Sequence, residues 1–110
     1  MTKNQILAMK PGPGMDLMVT DRVMHRSNVK EYSTYMSATK EIMERLKISV
    51  IHSEDGWYAV VTDDVIHSDA IQRYTYEYKQ VYGKHWALAD NVPEAICKAA
   101  LCAVLAKEEN

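Results

Sequence analysis

The chain has 110 residues, room for one domain with a modest core that needs neither disulfides nor metals to hold it. Its 13 Lys and Arg against 15 Asp and Glu give a formal charge of -2 with the signs interspersed, so the broad basic field that supplies non-specific nucleic-acid affinity is missing and nucleic acid is not an expected partner. The opening "MTKNQILAMKPG" lacks a long apolar run, and no window approaches the roughly 18 apolar residues of a membrane span, which predicts a soluble intracellular protein with no membrane partner.

In chain order, "KNQILAM" predicts one short helical turn. "KPGPG" then stops it as a stiff connector, because Pro fixes φ and Gly restores the turns. Residues 1–13 are thus expected to be an N-terminal segment and linker, with a single domain over 14–107. A first main helix is predicted from Met15 to His25. Met15, Met18, Val19 and Val23 form one apolar stripe on it, while Leu17 and Met24 lie nearly opposite, so the helix is expected to touch two surfaces, one of them on a partner. "RSNVKEYST" reads as a loop in which Ser33 or Thr34 caps the next helix by accepting from its free N–H groups. That helix, "TYMSATKEIMERLK", places Tyr35, Ala38, Thr39, Ile42 and Leu46 on one face. Met36 and Met43 fall at its edges, and Glu41 and Arg45 are spaced for an i,i+4 pair.

The period then changes to two. "ISVIH" and "WYAVV" flank "SEDG", a hairpin with an acidic turn ending in glycine. A connection "TDDVIHSDA" leads to "IQRYTYEYKQVY", where Gln72, Tyr74, Tyr76, Tyr78, Gln80 and Tyr82 share one face. That face is expected inward, with Arg73, Thr75, Glu77 and Lys79 toward water. Gly83 and Lys84 turn the chain into "HWALA", whose Trp86 and Leu88 are expected on the buried side. "DNVPEAI" starts the last helix, with Asp90 or Asn91 as cap and Pro93 in the first turn. At about 100° per residue, Ile96, Cys97, Ala99, Ala100, Leu101, Ala103 and Val104 face the core, and Lys98 and Cys102 lie opposite. Cys97 therefore reads as a small hydrophobe, and two cysteines at a spacing unsuited to bridging fit a reducing compartment. Four antiparallel strands and three main helices make an α+β arrangement, with helices covering a half-apolar sheet on one side or both.

Chemistry finds little purchase. His25, His52, His67 and His85 are scattered and form no zinc motif. Asp63, Asp64 and Asp69 surround His67 in a loop that could offer hard oxygen ligands, without the spacing of a calcium loop. Ser33, Thr34 and Ser37 could hold an anion at a helix start, although local capping is the favoured explanation for them. No metal, cofactor or catalytic residue is assigned. The aromatic usage is lopsided, with seven Tyr, two Trp and no Phe. Tyr74, Tyr76, Tyr78 and Trp86, with Trp57 beside them and Arg73 or Lys84 at the rim, could stack on a nucleotide-like ligand. The simpler reading, and the favoured one, is that the same tyrosines are core against the last helix.

Three blocks together, "MDLMVTDRVM", "EYSTYMSATKEIMERL" and "VPEAICKAALCAVLAK", resemble the phage ABA sandwich domain family, small proteins of bacteriophages and prophages. The order of elements is similar as well. The chain departs from the family pattern at Thr39 and Lys40, where a tryptophan is common, and at "MHRSN", where a glycine-containing turn is common. The resemblance implies a three-layer α/β/α-like sandwich and a phage or prophage accessory protein in the cytoplasm of the bacterial host. It implies no enzyme. The expected function is non-catalytic, by self-association into a dimer or larger oligomer or by binding a host protein. The alternative is capture of a small nucleotide signal in anti-defence.

Overall fold

The computed structural model describes residues 1–61 and 85–109, the side chain of residue 109 excepted. Thr2 starts the first helix, α1 (Lys3–Ala8), with a capping box. The Gln5 N–H donates to the Thr2 hydroxyl (3.2 Å) while the Thr2 N–H donates to Gln5 Oε1 (2.8 Å), which satisfies two N–H groups that a helix start otherwise leaves open. Ile6 on α1 is fully buried in the main core. The segment ahead of Pro13 is therefore a packed helix followed by a short turn.

Helix α2 (Pro13–Met18) begins with Pro13, tolerated where no intrahelical N–H bond is needed, after Gly12 at φ 148°. It runs directly into a π-helical turn, Val19–Val23. The Thr20 hydroxyl donates back to the Asp16 carbonyl (2.7 Å), a side-chain bond that competes with the regular ladder and bends helices. The turn then widens: the Met24 N–H reaches the Val19 carbonyl and the Arg26 N–H reaches that of Thr20, both at 3.0 Å. His25 closes it in the left-handed region at φ 52°. Wider turns wind less per residue, and this corrects the expected placement of Met24. It joins Met15, Val19 and Val23 in the core, while Leu17 alone of the expected second face stays exposed, at 57%.

Helix α3 (Met36–Leu46) buries Thr39 and Ile42 and rests Ala38, Met43 and Leu46 against the core. Tyr35 was expected on that stripe. It is instead the extended N-cap residue, outside the helical periodicity, and 56% exposed. Nor does Ser33 cap α3, since no side chain does. Glu41 passes over Arg45 and takes Arg26 and Lys30, which converge on its two carboxylate oxygens. Lys47, left-handed at φ 52°, ends α3.

The hairpin forms as the sequence indicates. Strands β1 (Ile48–Ser53) and β2 (Gly56–Val61) pair antiparallel from Ile48↔Val61 to Ser53↔Gly56, and β3 (His85–Ala89) adds to β2 from Trp57↔Ala89 to Val61↔His85. Among the described residues the sheet has three strands in the order β1-β2-β3 and there are four helices. The expected tyrosine strand lies outside the described residues. Opposed residues share a face, so Trp57, Ala59 and Val61 line up with Ala89, Ala87 and His85, while Tyr58 and Val60 line up with Leu88 and Trp86.

The last helix, α4 (Val92–Glu109), packs on the first of these faces. Alanines at 59, 87 and 89 on the sheet and at 95, 99 and 100 on the helix, all buried, let the two backbones approach closely. Every residue from Ala95 to Ala103 is buried. This overturns the expected solvent side at Lys98 and Cys102, because α1, α3 and the π turn wrap the rest of α4. A helix enclosed on all sides needs apolar residues all round, and only Lys98 breaks that rule. No helix among the described residues is long and apolar enough to cross a membrane.

Candidate functional site

Five of the six residues singled out as a ligand platform, Arg73, Tyr74, Tyr76, Tyr78 and Lys84, lie outside the described residues. Trp86 is on β3, half-buried, its ring 5.7 Å from that of Tyr58 at 52°. Lys3 Nζ sits 5.6 Å from the Trp86 ring centroid, within the range of a cation–π contact. Ile51, Tyr58 and Val60 form a second apolar cluster there, with Trp86 and Leu88 packed against it. Trp57 does not belong to this surface. It faces the main core from the opposite side of the sheet, with the His52 ring beside it, 4.5 Å between centroids and tilted at 43°. The two tryptophans therefore cannot line one pocket.

The helix-start hydroxyls are likewise not one anion site. Ser33 is fully buried; its N–H and hydroxyl both donate to Asp16 Oδ1 (2.8 and 2.6 Å), and its Oγ accepts from the Gly12 N–H (2.9 Å). This clamp ties the start of α2 to the loop before α3. A carboxylate buried to 4% exposure needs such donors to offset its lost hydration.

A second buried polar unit sits on α4. Lys98 Nζ donates to the Leu7 carbonyl (2.9 Å), at the end of α1, and to Glu94 Oε2 (3.2 Å). Near both units lies Cys97. Burial pushes its thiol far above the ordinary range, and the charges of Asp16 and Glu94 push the same way. Burial also raises the Cys102 thiol, against a smaller opposing effect of Lys3. Thiols held protonated are poor nucleophiles, so both cysteines act as packing groups. Among the described residues no three His, Cys, Asp or Glu side chains gather in a metal-binding group. His67, Asp63, Asp64 and Asp69 lie outside them.

What the surface does offer is a groove of about 420 Å³ beside the π turn. Its helix wall carries Leu17, Met18, Thr20, Asp21 and Arg22, and its loop wall Arg26, Ser27 and Val29. Leu17 and Val29 are 57% and 51% exposed. Arg22 is paired with Glu108 (3.2 Å) and Arg26 with Glu41, so the helix C-terminal end and α3 brace the two guanidiniums. The hydrogen bond from Lys30, with the Arg26 and Lys30 charges, holds the Glu41 carboxyl below its ordinary value. The sequence reading found Leu17 and missed Arg22, Arg26 and Val29, because these are brought together by a turn of non-standard width. Thr20 four residues after Asp16 was the available local signal, and back-bonding threonines are too common for it to stand out.

A groove edged by apolar side chains and braced arginines can bind another surface. No family model matches the chain, no curated protein matches it, and no solved structure matches it.

Proposed function

We propose that this chain is a non-catalytic binding protein whose working surface is the groove between the α2–π helix and the loop 26–29, occupied by another copy of the chain or by a host protein. The observation that carries the reading is the pair Leu17 and Val29, large apolar side chains more than half exposed across one concave surface. Single exposed apolar residues need no explanation, but apolar residues that rim a concave site with arginines beside them have the composition of interfaces. The phage or prophage accessory role is part of the same proposal and rests on the resemblance of the three sequence blocks. So does the α/β/α layering, supported by the burial of Ile51, Tyr58 and Val60 on the sheet face turned away from α4.

A photo-crosslinking residue placed at Leu17 in producing cells tests the binding reading without assuming the occupant. A discrete adduct from position 17, with none from the exposed hairpin residue Glu54, is the expected result. No discrete adduct from position 17 contradicts it. The nucleotide-capture alternative retains one observation, the Trp86–Tyr58 pair with Lys3 over the indole. Quenching of Trp86 fluorescence by cyclic or ADP-ribose-type nucleotides, retained in Trp57→Leu, would support it, and no change at millimolar nucleotide would remove it.

A further inference from the structure

The charges of the groove are unevenly satisfied. Arg22 and Arg26 each use Nη1 in an ion pair within the chain, which leaves their other N–H groups able to donate elsewhere. The Asp21 carboxylate is exposed and, among the described residues, makes no hydrogen bond or ion pair. It stands one turn after Leu17 on the helix wall. On the loop wall, Arg26 comes three residues before Val29. The helix wall thus presents an unpaired acid, Asp21, beside the Arg22–Glu108 pair, while on the loop wall Arg26 shares the single Glu41 carboxylate with Lys30, which leaves that side one positive charge in excess.

That arrangement excludes a simple anion as the occupant. Asp21 would repel it, and it would leave the exposed apolar side chains of Leu17 and Val29 unmatched. A fitting occupant must bring a base for Asp21, a carboxylate for the spare donors of Arg26, and apolar surface for Leu17 and Val29. One surface already on the page has all of these in that order, the groove itself. A two-fold interface places a patch against its own copy, so a patch that complements itself is what such an interface requires.

We infer that the groove takes a second copy of this chain about a two-fold axis, the helix wall of each copy against the loop wall of the other, so that Leu17 meets Val29 and Asp21 meets Arg26 twice over. The inference rests on the binding reading above and names the occupant which that reading leaves open. Glu41 and Lys30 hold Arg26 in position for the exchange.

Sedimentation equilibrium on the full chain at high micromolar concentration, with a charge-swap series, tests it. The wild-type protein is expected to be a dimer. Asp21→Arg and Arg26→Asp each place like charges together at two symmetric points, where they repel across the interface, so each is expected to raise the dissociation constant at least about 100-fold. The double variant restores opposite charges and is expected to recover to within about tenfold of wild type. A double variant no tighter than either single one overturns the pairing. A monomeric wild-type protein overturns the second copy as occupant while leaving the groove to be judged by the crosslink at position 17. A dimer that none of the variants weakens overturns both.

Discussion

Gly56 sits at φ 136° where the hairpin turns back, and a Cβ built there would lie 2.6 Å from the Ala89 carbonyl oxygen on β3. Backbone cannot yield as a flexible side chain can, and the conformation itself is one that only glycine visits freely. Gly56→Ala is therefore expected to destabilise the protein by about 2 kcal/mol or more, read as a lower urea midpoint. Cys97 gives a pH-dependent test. Its thiol stays protonated in the fold far above its ordinary range, whereas in the unfolded chain it ionises near pH ~8.5. Above that pH the folded state holds a proton that the unfolded state has lost, so stability falls as pH rises, by up to about 1.4 kcal/mol per pH unit for this group. Cys97→Ala is expected to flatten that decline between pH 8.5 and 10 relative to wild type, and an unchanged slope would contradict it. The glycine was legible as the end of an acidic turn and Cys97 as inward packing. Ser33 was not, because its partner Asp16 is 17 residues away, and a serine before a helix looks like a cap whether or not a buried carboxylate claims it.

At the level of elements, α4 is organised by what surrounds it. Its central turns are enclosed by sheet, α1, α3 and the π turn, and Lys98 survives inside because Glu94 and the α1 terminal carbonyl share its charge. The side chains of Lys98 and Glu94 are 7% and 12% exposed, so breaking the pair strands a largely buried charge. Lys98→Met is expected to cost about 3–5 kcal/mol, and Glu94→Leu/Lys98→Met appreciably less, since removing both partners leaves no orphan charge. Denaturant titration of the three proteins separates these outcomes, and a double variant as unstable as the single would show that the pair does not act as a unit. The same element shows where periodicity stops being informative. A wheel at the regular angle divided α4 into a core side and a solvent side; the short α1, read only as a turn before a linker, covers the second side through Ile6 and Leu7. The β1–β2 hairpin was legible to within one residue at its turn, where Ser53 and Gly56 pair as the last strand residues, because a two-residue alternation with a glycine turn fixes register locally. The π turn was not, since the extra residue in it shifts the phase of everything after it and brings Met24 inward.

For the whole molecule, the fold class was readable in the sequence as α+β with an antiparallel sheet, while the surface proposed to bind a partner was readable only in part. Leu17 stood out as an apolar residue on the wrong side of an amphipathic helix. Its companions Arg26 and Val29 come from a loop with no periodicity to interpret, and only the tertiary fold sets them opposite. The platform around Trp86 drew attention for its composition, yet Trp57 turns to the opposite face of the sheet because adjacent strand residues alternate. The molecule is accordingly a small core built around one enclosed helix, with the proposed binding groove where α2 widens into the π turn. The most direct measurement is the intact mass of the adduct formed by a photo-crosslinking residue at position 17. The account predicts a species at twice the 12.6 kDa chain mass, with fragments mapping the second attachment to the loop wall at 26–29. Failure to form any discrete species from position 17 would contradict it.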